Sequence, residues 1–179
     1  ADAACTIELV LEATRSDALG LILGFYTPEL PGNFQVRQYG DGILLFRNFH
    51  DAEGRLRRAE MDVDHVLPKG QQVVITLTSG PKGTVAYLNG KRVEGYGVYH
   101  FCGNLTGDLI LGSSPVEYDP SSAKIFGLAF YDKVLTPAEI LENAGRWKDG
   151  EFAGWSRAGV VGRYLFRERQ GREITEQAG

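Results

Sequence analysis

Alternation of apolar and polar residues is the feature that most constrains this chain. Residues 6–12 read TIELVLE, with apolar side chains at every second position before the segment becomes apolar throughout. Successive side chains of a β-strand point to opposite faces, so this pattern is typical of a strand that enters a core. Residues 19–26 form a nearly continuous apolar run of strand length, and the glycines at 20 and 24 disfavour a helix there. The chain is therefore predicted to begin as a β protein.

Turn sequences join further segments of the same kind. Residues 33–39 and 43–49 flank a Gly-Asp-Gly turn at 40–42, and an Asn-Gly pair at 89–90 is a strong signal for a two-residue hairpin. Eight or more short strands separated by Gly, Asn, Asp and Pro predict an all-β sandwich or barrel. The other strand-like segments are 56–66, 73–78, 84–88, 108–111 and 124–131.

A single helix is predicted among these strands. Thr136 has the residue type of an N-cap, Pro137 suits the first helical position, and Glu139 completes a capping box three residues after the cap. A short apolar stripe follows the cap. We expect a helix near 137–146 and a loop at 148–159.

The spacing of cysteine and histidine predicts neither a disulfide framework nor a metal site. Cys5 and Cys102 both fall in strand-like segments, where a free cysteine packs as a small hydrophobe. We therefore expect free thiols, with a single bridge as the alternative. Among the three histidines, His50, His65 and His100, only His65 has carboxylates at the spacing of zinc ligands, and we expect all three to be surface or hydrogen-bonded side chains.

Three stretches, in order, carry a family pattern. Residues 5–11 read CTIELVL, similar to an opening strand FTIELWV, and residues 73–91 contain VVIT and then GTVAYLNGK, similar to paired strands that end in YVNGK. Residues 109–140 contain LILGSS and then IFGLAFYDKVLTPAEI, similar to a closing strand and helix. Together they resemble the concanavalin A-like lectin/glucanase superfamily, in its laminin G-like bacterial branch. The resemblance implies a two-sheet antiparallel jelly-roll sandwich with one short helix.

The end of the chain departs from that pattern. Residues 164–179 read YLFRERQGREITEQAG, similar to a strand that the family normally places before the first stretch. The opening strand near Cys5 then lacks its usual partner. We interpret 1–179 as a single laminin G-like domain in which 160–179 is either a C-terminal edge strand or the start of a following repeat. Closure by exchange of this strand between two copies would give a swapped dimer.

One strand carries candidate catalytic residues. Glu60, Asp62 and Asp64 fall on one face of a strand, and the β-glucanase branch of the resembled superfamily uses a Glu-x-Asp-x-(x)-Glu strand. Retaining hydrolysis requires two carboxyl groups about 5–5.5 Å apart. The flanks of this strand lack the tryptophans expected around a sugar cleft. We expect no catalytic residues and interpret the carboxylates as the solvent face of an edge strand, with a glycoside hydrolase as the alternative.

Two loops carry candidate ligand-binding residues, because loops at the end of a sandwich are the usual place for recognition. Aromatic faces stack on sugars, while Asn and Asp bind hydroxyl groups or Ca²⁺. The other interpretation is that the tyrosines cap the sandwich edge and the acids are solvated. We expect no cofactor, with Ca²⁺ as the open alternative. The candidates are Tyr96, Tyr99, His100 and Asn104 in the first loop and Glu117, Tyr118 and Asp119 in the second.

These observations favour a non-catalytic recognition module for a glycan or a protein partner of the cell envelope, with a hydrolase or a structural spacer as alternatives. The net charge of −4 and the scattered Lys and Arg residues do not form a nucleic-acid footprint. No apolar run has the length of a membrane span. The pattern also resembles laminin G-like regions fused to VanZ-like membrane proteins, which implies an extracellular or periplasmic domain attached to a membrane protein.

Overall fold

Two antiparallel sheets pack face to face in the part of the chain that the structure, a computed structural model, describes: residues 3–30, 32–97, 100–113, 120–150, 155 and 157–166. The all-β prediction with a single α-helix is confirmed. The elements in chain order are β1 (Cys5–Ala13), β2 (Leu19–Tyr26), β3 (Phe34–Tyr39), β4 (Gly42–His50), β5 (Leu56–Val63), β6 (Gln72–Gly80), β7 (Gly83–Leu88), β8 (Lys91–Val93), β9 (Asp108–Leu111), β10 (Ala123–Tyr131), α1 (Pro137–Asp149) and β11 (Val160–Leu165).

The order of the strands gives a six-stranded and a five-stranded sheet. The six-stranded sheet runs β11-β10-β1-β6-β7-β8, and the five-stranded sheet runs β5-β4-β3-β2-β9. All the pairs of neighbouring strands are antiparallel. This arrangement confirms the predicted two-sheet sandwich.

The core between the sheets follows directly from the alternation along the strands. Ile7, Leu9 and Leu11 of β1 are fully buried, and the ring of Phe34 stacks on Phe101 with centroids 4.8 Å apart. Burying a side chain of this size contributes about 1.5–3 kcal/mol. The inward positions of both sheets are therefore the main source of stability.

The helix α1 covers the outer face of the six-stranded sheet. Thr136 and Glu139 form the predicted capping box, and the helix extends past the expected end at 146 because Gly150 provides a left-handed C-cap with φ 72°. The first two residues of the expected loop at 148–159 are therefore helical. Ile140 and Trp147 are buried against this sheet. On the outer face of the five-stranded sheet, which α1 does not cover, a groove stays open.

The expectation of free thiols is wrong, because Cys5 and Cys102 form a disulfide with Cα atoms 5.5 Å apart. The cause is the register of two strands. Cys5 pairs with Ser79 across β1 and β6, and the Ser79 hydroxyl accepts a hydrogen bond from the backbone N–H of Phe101 at 3.2 Å. Because the Phe101 ring is buried, the next residue, Cys102, is held beside Cys5.

The end of the described chain returns as the edge strand β11. It pairs with β10, and not with β1, which already lies between β10 and β6. The expectation of an unpaired edge at β1 is therefore wrong. Tyr164 and Phe166 pack against the core between the sheets. Residues 167–179 lie outside the described part, so the division of 1–179 into one domain or a domain and a following repeat stays a prediction.

Candidate functional site

An open cavity of about 420 Å³ lies on the outer face of the five-stranded sheet. It is formed where outward positions of β3, β4 and β5 meet across two registers, in which Gln35 pairs with Phe46 and Asn48 pairs with Arg58. This volume is within the range of small-molecule sites in proteins. We name it the outer-face cavity, and the side chains that define it are Leu19, Gln35, Arg37, Tyr39, Leu44, Phe46, Asn48 and Arg58.

The floor of the outer-face cavity is an aromatic ring between two arginines. Phe46 is 5% exposed although it points away from the core. The guanidinium carbon of Arg58 lies 4.4 Å from its ring centroid, and that of Arg37 lies at 5.8 Å. A guanidinium over an aromatic face is attracted by the ring quadrupole, and the ring shields the stem of the arginine from water. Phe46 therefore holds both cationic groups at the cavity.

Two side-chain amides flank the arginines. Arg37 donates a hydrogen bond from Nη1 to Gln35 Oε1 at 3.2 Å, and Arg58 donates from Nε to Asn48 Oδ1 at 3.5 Å. Gly32 lies against both amides: a Cβ atom there would be 2.9 Å from Gln35 Nε2 and 3.2 Å from Asn48 Nδ2, and its φ of 71° favours glycine. The amides and guanidinium groups are consequently held in place before any ligand arrives.

The rim of the cavity is apolar and accessible. Tyr39 is 58% exposed and Leu19 is 62% exposed, and the two residues pair across β2 and β3. Exposed tyrosine combines an apolar ring with a hydroxyl that donates and accepts hydrogen bonds. The rim is therefore able to contact the apolar face of a sugar ring while its hydroxyl groups meet the polar floor.

The candidate catalytic strand lies beside the cavity, at the edge of the five-stranded sheet. Glu60 pairs with Phe46 and Asp62 with Leu44, so both carboxylates share the outer face, whereas Asp64 follows the end of β5. Glu60 Oε1 lies 3.4 Å from Arg58 Nη1. Partial burial, together with the charges of Asp64 and Glu60, raises the pKa of Asp62.

The described residues contain no group of three or more His, Cys, Asp and Glu side chains arranged to hold a metal ion. His65, the histidine closest in sequence to the acidic strand, is exposed and lies 2.6 Å from Asp41 through Nδ1. This hydrogen bond raises the pKa of His65. The arrangement is a surface pair between Asp41 of a turn and His65, two residues beyond the end of β5.

The first candidate binding loop passes the opposite side of the same edge strand. Tyr96 is 61% exposed, and its backbone N–H and C=O form two hydrogen bonds with Asp62 at 2.8 and 3.0 Å. His100 is exposed, and Asn104 lies in a short 3₁₀ turn. The structure thus brings Tyr96 close to the acidic strand but not into the outer-face cavity. Outside the described residues lie Tyr99, Glu117, Tyr118, Asp119 and the side chain of Asn104.

The residues of the outer-face cavity were not singled out by sequence reasoning. The signal that could have found them is the run Ile43 to Phe46, which is apolar at inward and outward positions alike. A strand with one solvated face should alternate, so apolar side chains on both faces indicate a second contact surface. Arg37 and Arg58, in contrast, carry no local signal, because their proximity to Phe46 depends on the neighbouring strands.

Two solved structures resemble this fold. A candidate carbohydrate-binding protein of Bacteroides ovatus superposes with a TM-score of 0.67 at 17% identity, covering 99% of this chain and 50% of that protein. The CBM40 module of a Ruminococcus gnavus IT-sialidase, solved with α2,3-sialyllactose, superposes with a TM-score of 0.52 at 16% identity, covering 81% of this chain and 84% of that module. This chain therefore spans half the length of the Bacteroides protein. No family model and no curated protein matches the sequence.

Proposed function

We propose that this domain is a non-catalytic recognition module that binds a glycan in the outer-face cavity. The observation that carries the proposal is the combination of groups in one place: a shielded aromatic floor, two guanidinium groups, two amides and an exposed tyrosine at the rim. Planar polar groups bind sugar hydroxyls in pairs, and an aromatic ring covers the apolar C–H face of a pyranose. A protein partner is the alternative occupant of the same surface.

The comparisons support the class of ligand in general. One similar structure is described as a carbohydrate-binding protein and the other is a carbohydrate-binding module in complex with a sialylated trisaccharide. At 16–17% identity the likeness concerns the fold, so the assignment of residues comes from the cavity itself.

We further propose an extracellular or periplasmic location. The Cys5–Cys102 disulfide supports it, since such bonds persist in oxidising compartments. Among the described residues, no helix has the length and apolarity that crossing a membrane requires. Attachment to a VanZ-like membrane protein stays a prediction from the sequence resemblance.

A pair of tyrosine variants tests the location of the site. Tyr39→Ala removes the aromatic group from the cavity rim, and Tyr96→Ala removes an equally exposed ring from the candidate loop. After a glycan array has provided a ligand, titration calorimetry should show about tenfold weaker binding for Tyr39→Ala, which corresponds to the loss of an aromatic contact of about 1.4 kcal/mol. Tyr96→Ala should bind as the wild type does. The opposite pattern would move the site to the loop of Tyr96, His100 and Asn104.

Calcium dependence tests the alternative that the ligand binds at the two candidate loops. Asn104 in the first loop, with Glu117 and Asp119 in the second, offers oxygen donors of the kind that Ca²⁺ binds. Binding through the outer-face cavity should be the same with added Ca²⁺ and with a chelator. Loss of binding on chelation would favour a Ca²⁺-dependent loop site.

A glycoside hydrolase is the second candidate, favoured by the shared outer face of Glu60 and Asp62 beside the cavity. We propose that these carboxylates are not catalytic, because Asp64 lies beyond the strand and Glu60 forms an ion pair with Arg58. Purified protein should release no reducing sugar from β-glucans. Release that is abolished by Glu60→Gln would overturn the non-catalytic assignment.

A further inference from the structure

The charges of the outer-face cavity narrow the ligand class. Resting on the glycan-binding function above, we propose that the bound sugar is acidic and that its anionic group lies between the guanidinium groups of Arg37 and Arg58. The charged side chains that line the cavity among the described residues are these two arginines. Guanidinium and amide groups both bind the hydroxyls of a neutral glycan, but an anionic group gains a charge-assisted hydrogen bond from each arginine as well.

The two arginines are placed so that a single anion is able to contact both of them. Phe46 is central on β4, with Arg37 on the neighbouring strand to one side and Arg58 on the neighbouring strand to the other. Both guanidinium groups lie within 6 Å of its ring centroid. An anionic group placed between the two guanidinium groups therefore meets a cation on each side. Such charge-assisted hydrogen bonds are about twice as strong as neutral ones.

A side-chain amide lies beside each arginine, and the shape of the guanidinium group lets it bond this amide and a ligand at once. Its N–H donors form a rigid planar fork, so a single arginine is able to bond an amide oxygen and a carboxylate together. Gln35 and Asn48 provide the amide oxygens, and the absence of a side chain at Gly32 leaves room for both amides. This arrangement holds the forks at the cavity, which lowers the entropy cost of binding.

Removing the charge of Glu60 distinguishes a ligand-binding role of the arginines from a merely structural one. Its carboxylate does not line the cavity but approaches Arg58 from the sheet edge, at 3.4 Å. An acidic ligand must share Arg58 with this carboxylate and is repelled by it. Removing the charge of Glu60 should therefore tighten binding of an acidic sugar and leave a neutral sugar unaffected.

The experiment is a glycan array in which every uronic- or sialic-acid glycan is printed beside its carboxyl-reduced counterpart and beside sulfated glycans. Carboxyl reduction keeps the stereochemistry and removes the charge. We expect the intact acids to be retained and the reduced sugars to bind about tenfold more weakly or worse, as for loss of a charged hydrogen bond. Preference for the sulfated glycans would identify sulfate, not carboxylate, as the anion.

Calorimetry of the best acidic glycan then assigns the residues. Arg37→Lys and Arg58→Lys keep the charge but lose the fork, and each should weaken binding by about fivefold or more. Glu60→Gln should strengthen binding about two- to fivefold, and the affinity should fall as salt is added. Arg92→Gln, on β8 at the far edge of the other sheet, is the matched control and should change nothing. Thermal melts establish that each variant is folded.

The outcomes separate the two proposals. If reduced and intact glycans bind equally, and Tyr39→Ala still weakens binding, the acidic ligand is excluded and the glycan-binding function stands. If no glycan is retained in any form, both proposals are wrong. Weaker acid binding in Glu60→Gln would contradict the placement of the anion beside Arg58, because it would make the carboxylate a contact for sugar hydroxyls.

Discussion

Glu8 is an ionisable side chain buried under the helix, on the outer face of the six-stranded sheet. Its Oε2 accepts hydrogen bonds from Tyr131 and Trp147, both at 2.8 Å, and its Oε1 accepts one from Asn143 at 3.1 Å. Burial raises the pKa of Glu8, while these hydrogen bonds and the charge of Arg163 act in the opposite direction. This side chain joins two strands and the helix through one group.

Replacing Glu8 with Ala should destabilise the domain by about 3 kcal/mol or more, because each buried donor left without an acceptor costs about 1–3 kcal/mol. Urea unfolding followed by tryptophan fluorescence measures the effect. Glu12→Ala is the matched control: it lies on the same strand, and its pair with Lys124 is at the surface, so a change below about 1 kcal/mol is expected. Equal stability losses in both variants would show that the buried acceptor has no special role.

At the scale of an element, the capping box of α1 responds to pH. Hydrogen bonds from Lys133 and from the Thr136 backbone lower the pKa of Glu139 from 4.5 to about 2. A lowered folded-state pKa stabilises the fold above the unfolded value, and that contribution is lost as pH falls from 4.5 through about 2. Since this carboxylate is 38% exposed, solvent screening limits the effect to about 1 kcal/mol.

The variant Glu139→Gln retains an amide oxygen for the cap and does not titrate. Its stability should be below that of the wild type near neutral pH, and the difference should shrink as pH falls toward 2. Urea unfolding across this range measures it, and Glu142→Gln corrects for the loss of one carboxylate from the helix. If the stability difference between the wild type and Glu139→Gln is constant with pH, it does not come from the charge of Glu139.

The edge strand β11 is the element whose removal should matter most. Deleting 160–179 exposes the edge of β10 and removes Tyr164 and Phe166 from the core, which at about 25 cal/mol per Å² costs several kcal/mol. We expect a lower melting temperature or aggregation. A chain that ends after Phe166 retains β11 and is the control. An unchanged melting temperature for the chain that lacks 160–179 would show that β11 belongs to a following unit.

Strand exchange is a related expectation that the same proteins test. If β11 pairs with β10 of a second copy, the intact chain should form a dimer whose proportion rises with concentration, and the 160–179 deletion should remain monomeric. Size-exclusion chromatography with light scattering distinguishes the two. A monomer at all concentrations would leave β11 paired within its own chain.

At the scale of the whole molecule, the disulfide joins the first strand to the segment before β9, across a sequence separation of 97 residues. Closing a loop of this length in the unfolded chain stabilises the fold by about 4–5 kcal/mol in the chain-entropy account. The double variant Cys5→Ala, Cys102→Ala should therefore unfold at a much lower urea concentration. Wild-type protein under reducing conditions should match it. Unchanged stability in both would show that the packing around Phe101 suffices without the bond.

The strands, the hairpin turns and the capped helix were predictable from the sequence, because each depends on residues a few positions apart. Alternation places Ile7, Leu9 and Leu11 on one face whatever lies opposite, and Thr136 with Glu139 begins a helix through bonds within its own first turn. The loop residues offered as a binding site stay a prediction, since several of them lie outside the described part of the chain.

The disulfide, the buried position of Glu8 and the outer-face cavity were decided only by the tertiary structure. Each depends on which strands are neighbours and in what register: Cys102 reaches Cys5 through Ser79, and Arg37 and Arg58 reach Phe46 from two different strands. Residues so placed have no periodic relation along the chain. The sequence alone therefore determines which faces are apolar, and the packing of the two sheets and the helix determines which polar groups meet.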